Sequence, residues 1–132
     1  MPRADVCFFL AGDGTVPVLD WLRQLRRQDR RAYAKCVVRL QRLSAEGHAL
    51  RRPEADYLRD GIYELRIRHG HVNYRILYFF HGQNVVILAH GLTKESQVPD
   101  TEIERAIRRR MTFEAKPNDH LWKEAEDGQE DE

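Results

Sequence analysis

Residues 62–80, Ile62-Tyr-Glu-Leu-Arg-Ile-Arg-His-Gly-His-Val-Asn-Tyr-Arg-Ile-Leu-Tyr-Phe-Phe80, decide the fold. Apolar and polar side chains alternate on both sides of Gly70 and His71, the signature of two half-buried strands joined by a tight turn. A two-residue loop fixes the register, setting Tyr63 opposite Tyr78, Leu65 opposite Ile76 and Ile67 opposite Tyr74 on one face. The other face then carries Arg66 opposite Arg75 and Arg68 opposite Asn73. Directly opposed arginines repel, so this face reads as solvated or as a place that receives an anion.

Working outward, residues 85–92 form a third strand after a turn at Gly82 and Gln83, which places Tyr78 opposite Ile87, Ile76 opposite Ala89 and Arg75 opposite His90. Arg66, Arg75 and His90 are thus expected in one row across three strands, with Lys94 just beyond. Ile62, Leu77, Phe79, Val86 and Leu88 are expected to need cover from the closing helix or a partner. Residues 6–11 read as an opening strand bounded by Gly12 and Gly14. Leu19, Leu22 and Leu25, after Pro17, mark a helix, and a second starts at Asp29 and stops at Gly47. Its buried stripe is Tyr33, Cys36, Val37, Leu40 and Leu43, and Arg31, Lys35, Arg39 and Arg42 line the opposite side, either as a solvated face or as a phosphate-tracking ridge. Residues 48–56 read as a polar linker, and 98–111 as a closing helix with Ile103, Ala106 and Ile107 turned inward.

The expected fold is therefore α/β of the α+β type: one domain over residues 1–114, a mostly antiparallel twisted sheet of about four strands, an N-terminal helix pair on one face and a C-terminal helix. Residues 115–132 read as an acidic, disordered tail.

With 132 residues, 33% of them charged, the chain supports one modest core and excludes a multidomain architecture. The formal charge of +1 hides an asymmetry. Residues 119–132 hold seven acids and one lysine, leaving 21 basic against 14 acidic residues, +7, in residues 1–118. Such a domain suits a polyanionic partner. No stretch is long enough to span a bilayer, and no signal peptide is visible, so a cytoplasmic protein is expected. Cys7 and Cys36 lie in apolar patterns and read as buried thiols. No metal-ligand spacing stands out among the six histidines, so no metal or other cofactor is expected.

The runs Asp60-Gly-Ile-Tyr-Glu-Leu-Arg66, Asn73-Tyr-Arg-Ile-Leu-Tyr-Phe79 and Ile87-Leu-Ala-His-Gly-Leu-Thr-Lys94, followed by Pro99 and Ile103 to Ala106, resemble RelE-superfamily toxins, nearest the HigB or phage Gp49-like branch. The resemblance covers roughly residues 5–112. It implies a type II toxin that cuts mRNA on the ribosome without a metal, neutralised by a HigA-like helix-turn-helix antitoxin. This chain alone shows no DNA-reading motif. By position, Arg66, Arg75 and Lys94 resemble the family's basic residues around the scissile phosphate. Glu64 and Glu95 stand where relatives carry further lysines.

Cleavage of this kind needs the 2′-OH deprotonated, the phosphorane charge stabilised and the leaving oxygen protonated. The expected catalytic set is His90 as base or acid, Arg66 and Arg75 as braces and Lys94 at the leaving group. Arg31, Lys35, Arg39, Arg42, Arg68 and Asn73 are the expected contacts to RNA or the ribosome. The alternatives are a ParE-like toxin acting on gyrase without cutting RNA, and a decayed toxin that only binds its antitoxin.

Overall fold

In the computed structural model, which describes residues 3–93 and 96–123, Asp60 and Gly61 have φ values of 52° and 81° and close a two-residue hairpin. Asp-Gly is the favoured pair for such a turn because both positions need positive φ. It joins β2 (Ala55–Arg59) to β3 (Ile62–His69), so part of the segment read as a linker is an edge strand. Four strands become six, in the order β2-β3-β4-β5-β1-β6, with β4 (Val72–His81), β5 (Val85–Thr93), β1 (Asp5–Phe9) and β6 (Leu121–Trp122). β1 runs parallel to β5, and every other pairing is antiparallel.

The β3–β4 register is the one expected, including Arg66 opposite Arg75 and Arg68 opposite Asn73. The β4–β5 register differs twice. The turn has three residues, 82–84, because His81 pairs with Val85, and this moves Tyr78 opposite Leu88 instead of Ile87. A bulge between Leu77 and Tyr78 then leaves Ala89 as the extra residue, so His90 lies opposite Leu77, Gly91 opposite Ile76 and Leu92 opposite Arg75. The first shift turns Val86 and Leu88 to the helix-pair face, and the bulge returns His90 to the Arg75 face, one same-side position away from where the sequence reading put it.

The helices cover both faces. α1 (Pro17–Gln28) begins with proline at its first position and buries Val18, Leu22 and Leu25. Asp29 separates it from α2 (Arg30–Glu46): its backbone N–H donates to the Leu25 carbonyl, and its Oδ1 accepts from the Ala32 N–H at 3.1 Å. α2 packs through Ala32, Cys36 and Leu43, with Tyr33 and Leu40 partly buried. Burial pushes the Cys36 thiol up to about 12. These helices share a core with Leu65, Ile67, Ile76, Tyr78, Val86 and Leu88. α3 (Asp100–Ala115), which also buries Ile103, closes the other face with Ala106 and Phe113 over Ile62, Leu77, Phe79 and Ile87.

The tail read as disordered from residue 115 starts with structure instead. His120 stacks on Phe9 with centroids 5.6 Å apart, and Trp122 meets Phe8 edge-on at 5.5 Å, which holds β6 on the outer edge of β1.

Gly91 lets the Trp21 ring of α1 lie directly against the sheet. A Cβ placed there would lie 2.5 Å from the Trp21 ring. Gly91→Ala should destabilise the fold by about 1–3 kcal/mol, because the base of the indole must shift with its helix. Equilibrium denaturation checks this; an unchanged midpoint would mean that Trp21 repacks freely.

Candidate nucleic-acid interface

Arg66 and Arg75 are set opposite each other by the β3–β4 turn, and the repulsion this implies is relieved from within the protein. Glu64, two residues before Arg66 on the same face of β3, is buried. Its Oε2 accepts from Arg66 at 2.7–2.8 Å, and its Oε1 lies 3.6 Å from Arg75 Nε. Asp56 on β2 adds a second contact to Arg66 at 3.2 Å. Glu64 is therefore the inner counter-ion of an arginine pair. Its place in the alternation, two before one arginine and diagonal to the other, was the signal for this.

β2 pairs with β3 only as far as Leu65, and the Arg66 N–H donates to the Glu54 carbonyl beyond it. Past that point the β3 edge would be bare. Arg39 donates to the Arg66 carbonyl and Lys35 Nζ to the Arg68 carbonyl at 3.5 Å, so two of the ridge cations cap this edge. Arg42 is engaged by Glu46 at 2.7 Å and lies 3.6 Å from Glu54, while Arg31 stays exposed.

A cleft of about 370 Å³ opens at this edge, and Arg39, Arg66, Arg68, Asn73 and Arg75 all line it, together with Glu54. Five of the expected residues thus converge on one site. Three guanidiniums are pre-oriented by hydrogen bonds, Arg66 by Glu64, Arg39 by the Arg66 carbonyl and Arg68 by the Gly70 carbonyl at 3.1 Å, while Arg75 meets Glu64 in a 3.6 Å ion-pair contact without a hydrogen bond. Forked donors held in place suit a phosphate better than mobile lysines do, although Glu54, Asp56 and Glu64 offset much of the local positive charge.

His90 does not line the cleft. It is buried under α3, with Nε2 2.5 Å from Glu102 Oε1 and Nδ1 3.3 Å from Arg109 Nη1. Arg109 has only protons to give, so Nδ1 accepts and Nε2 carries the proton toward Glu102, which defines the neutral tautomer. Arg109 also donates to the carbonyl of the bulged Ala89 at 2.7 Å. Both ring nitrogens are thus spent on α3. The sequence missed Glu102 and Arg109 because they belong to a helix whose seating depends on the bulge. Lys94 and Glu95 lie outside the described residues.

Burial foremost holds the His90 pKa below its ordinary value of 6.5, with Arg109 and Arg105 adding to the effect and Glu102 opposing it. The unfolded chain therefore binds this proton more readily than the folded one. The stabilisation from neutral His90 is present above pH 6.5 and is lost as pH falls through the depressed folded value. The unfolding free energy of the protein should accordingly fall more steeply with acid just below that pH than that of His90→Gln. Parallel pH profiles would overturn this assignment.

Two layers of helix around a mixed sheet, with an arginine-lined cleft where one strand edge is capped by a helix, define a small α/β protein. Residues 20–111 match the phage-derived Gp49-like protein family (DUF891), and the chain belongs to this RelE/toxin-like family. The family points to a toxin of the toxin–antitoxin kind. No curated protein matches the chain. Among the described residues, no helix is long and apolar enough to cross a membrane.

Proposed function

We propose that the chain is the toxin of a type II toxin–antitoxin pair and inhibits translation by cutting mRNA held on the ribosome. The observation that carries this reading is the convergence of Arg39, Arg66, Arg68 and Arg75 on one cleft within a toxin-like fold. Arg66 and Arg75 brace the charge that develops on the scissile phosphate, and Arg39, Arg68 and Asn73 hold its neighbours. His90 seats α3 against β5 and acts on the cleft through that seating. Lys94, directly after β5, retains its proposed place at the leaving group. The ribosome orients the transcript, and a HigA-like helix-turn-helix antitoxin is the partner that silences the cleft.

The test is induced expression in the cytoplasm of the intact chain and of Arg75→Ala, following growth and mapping new 5′ ends in cellular mRNA. New ends within coding sequences that vanish in a folded Arg75→Ala variant support the reading. Arrested growth with intact transcripts overturns the nuclease and favours a second reading, a non-cutting toxin directed at gyrase. One observation favours that alternative: His90 has both ring nitrogens engaged away from the cleft.

A further inference from the structure

Arg23, Arg26, Arg27 and Arg30 line a second cavity, of about 450 Å³, where α1 meets α2. All four are exposed. Five of the other arginines meet carboxylates: Arg42, Arg52, Arg59 and Arg66 lie within 3.0 Å of one, and Arg75 within 3.6 Å. Among the described residues, none of the four elbow arginines has such a partner. Arg26 only stands over the Tyr33 ring at 5.8 Å.

Helix dipoles explain half of this. Arg26 and Arg27 sit in the last turn of α1, where a cation is favourable, but Arg23 lies outside that turn and Arg30 opens α2 at its positive end. α2 has no acidic residue in its first turn. Four like charges gathered around one hollow repel one another and are relieved by a polyanion.

The lining indicates which polyanion. It offers forked donors and, beyond the arginine stems, no apolar residue, so an acidic protein segment would find little to anchor its hydrophobic side chains, whereas a phosphodiester backbone needs only charge and donors. A different groove, floored by Ala34, Val38 and Ile67 between Lys35 and Arg68, has the apolar character that a protein segment needs.

Position matters as well. Asp29 is 3.9 Å from His69, so the elbow lies at the β3–β4 turn, and α2 runs from there toward the cleft at Arg39. Arg30 and Arg39 are about 13 Å apart along the helix. Lys123 bonds Asp5 at 2.8 Å beside the β4–β5 turn, at the opposite end of the sheet from the elbow.

We propose that the α1–α2 elbow is a docking site for the phosphate backbone of folded RNA, separate from the cleft. Its role in holding the target in front of the cleft rests on the function proposed above; the binding itself does not.

The experiment measures binding of the full chain to a labelled RNA hairpin of arbitrary sequence by fluorescence anisotropy. Salt is varied from about 50 to 200 mM, and R23Q/R26Q/R27Q/R30Q is compared with the all-lysine counterpart. The glutamine variant should bind more than tenfold more weakly at the low-salt end and lose about 3 from the slope of log K against log salt, while the lysine variant keeps that slope. If the fourfold variant melts early, R23Q/R30Q takes its place, with an expected slope loss of about 1.5.

An unchanged slope overturns the proposal. So does unaltered RNA binding accompanied by loss of binding to a polyglutamate peptide, which would assign the elbow to an acidic protein. Absence of mRNA cleavage with elbow-dependent binding intact removes the nuclease reading alone. Intact cleavage with elbow-independent binding removes this inference alone.

Discussion

Glu64→Ala should lower the unfolding free energy by about 3 kcal/mol and the melting midpoint by roughly 10 °C. The carboxylate is buried, touches Arg66 at 2.7 Å and lies 3.6 Å from Arg75, whose side chain is only 14% exposed. Removing it leaves two opposed guanidiniums without their shared counter-charge, one of them largely out of water. Glu64→Gln keeps the shape and one acceptor, and should cost about half as much. An exposed partner behaves differently. Glu104, 3.9 Å from Arg59 with 55% of its side chain exposed, should change stability by less than about 0.5 kcal/mol as Glu104→Gln. Urea titration of the three variants decides the matter. If Glu64→Ala and Glu104→Gln were equal, the arginine pair would be solvated and Glu64 would not be its brace.

Glu64 also marks where the sequence stops being informative. The β3–β4 pairing was legible because alternation on both sides of a two-residue turn admits one register, and Gly70, with φ 63°, supplies the conformation the turn needs. From that pairing followed the opposition of Arg66 and Arg75, the centre of the site. The resemblance marks Glu64 only as a position where relatives carry a lysine, whereas packing makes it the counter-ion between the arginines.

β5 was harder for a physical reason. Val85-Val-Ile-Leu-Ala89 is apolar throughout because β5 lies between β4 and β1 and is covered on both faces. Without alternation, a slip of one residue costs nothing visible in the sequence. The bulge at Ala89 is instead fixed by tertiary contacts, with Arg109 of α3 holding the Ala89 carbonyl and Glu102 holding His90. β2 was missed although its Asp60–Gly61 turn was readable, because Ala55–Arg59 is a short edge strand of mixed polarity. β6 has only two residues and depends on aromatic packing against β1.

On the proposed nuclease function, Arg75→Ala should slow cleavage of ribosome-bound mRNA by about 10²–10³-fold, whereas His90→Gln should slow it by less than about tenfold. Arg75 is the more buried of the two arginines beside Glu64, its side chain 14% exposed against 38% for Arg66, and it lines the site from the middle of β4 with Nε 3.6 Å from Glu64. A group already oriented before charge develops needs no reorganisation as the phosphorane forms, and its loss falls on the chemical step. His90 touches Glu102 and Arg109 instead, so its replacement loosens α3 and reaches the cleft only through that movement. Arg75→Lys separates charge from geometry: it keeps a cation for Glu64 but gives up the fork, so it should remain folded and still lose at least about tenfold in rate. Single-turnover cleavage, with melting curves of the same preparations, measures all three. A loss for His90→Gln as large as that for Arg75→Ala, at unchanged melting temperature, would return proton transfer to the imidazole. The Glu102 contact would then have to open before the transcript is cut.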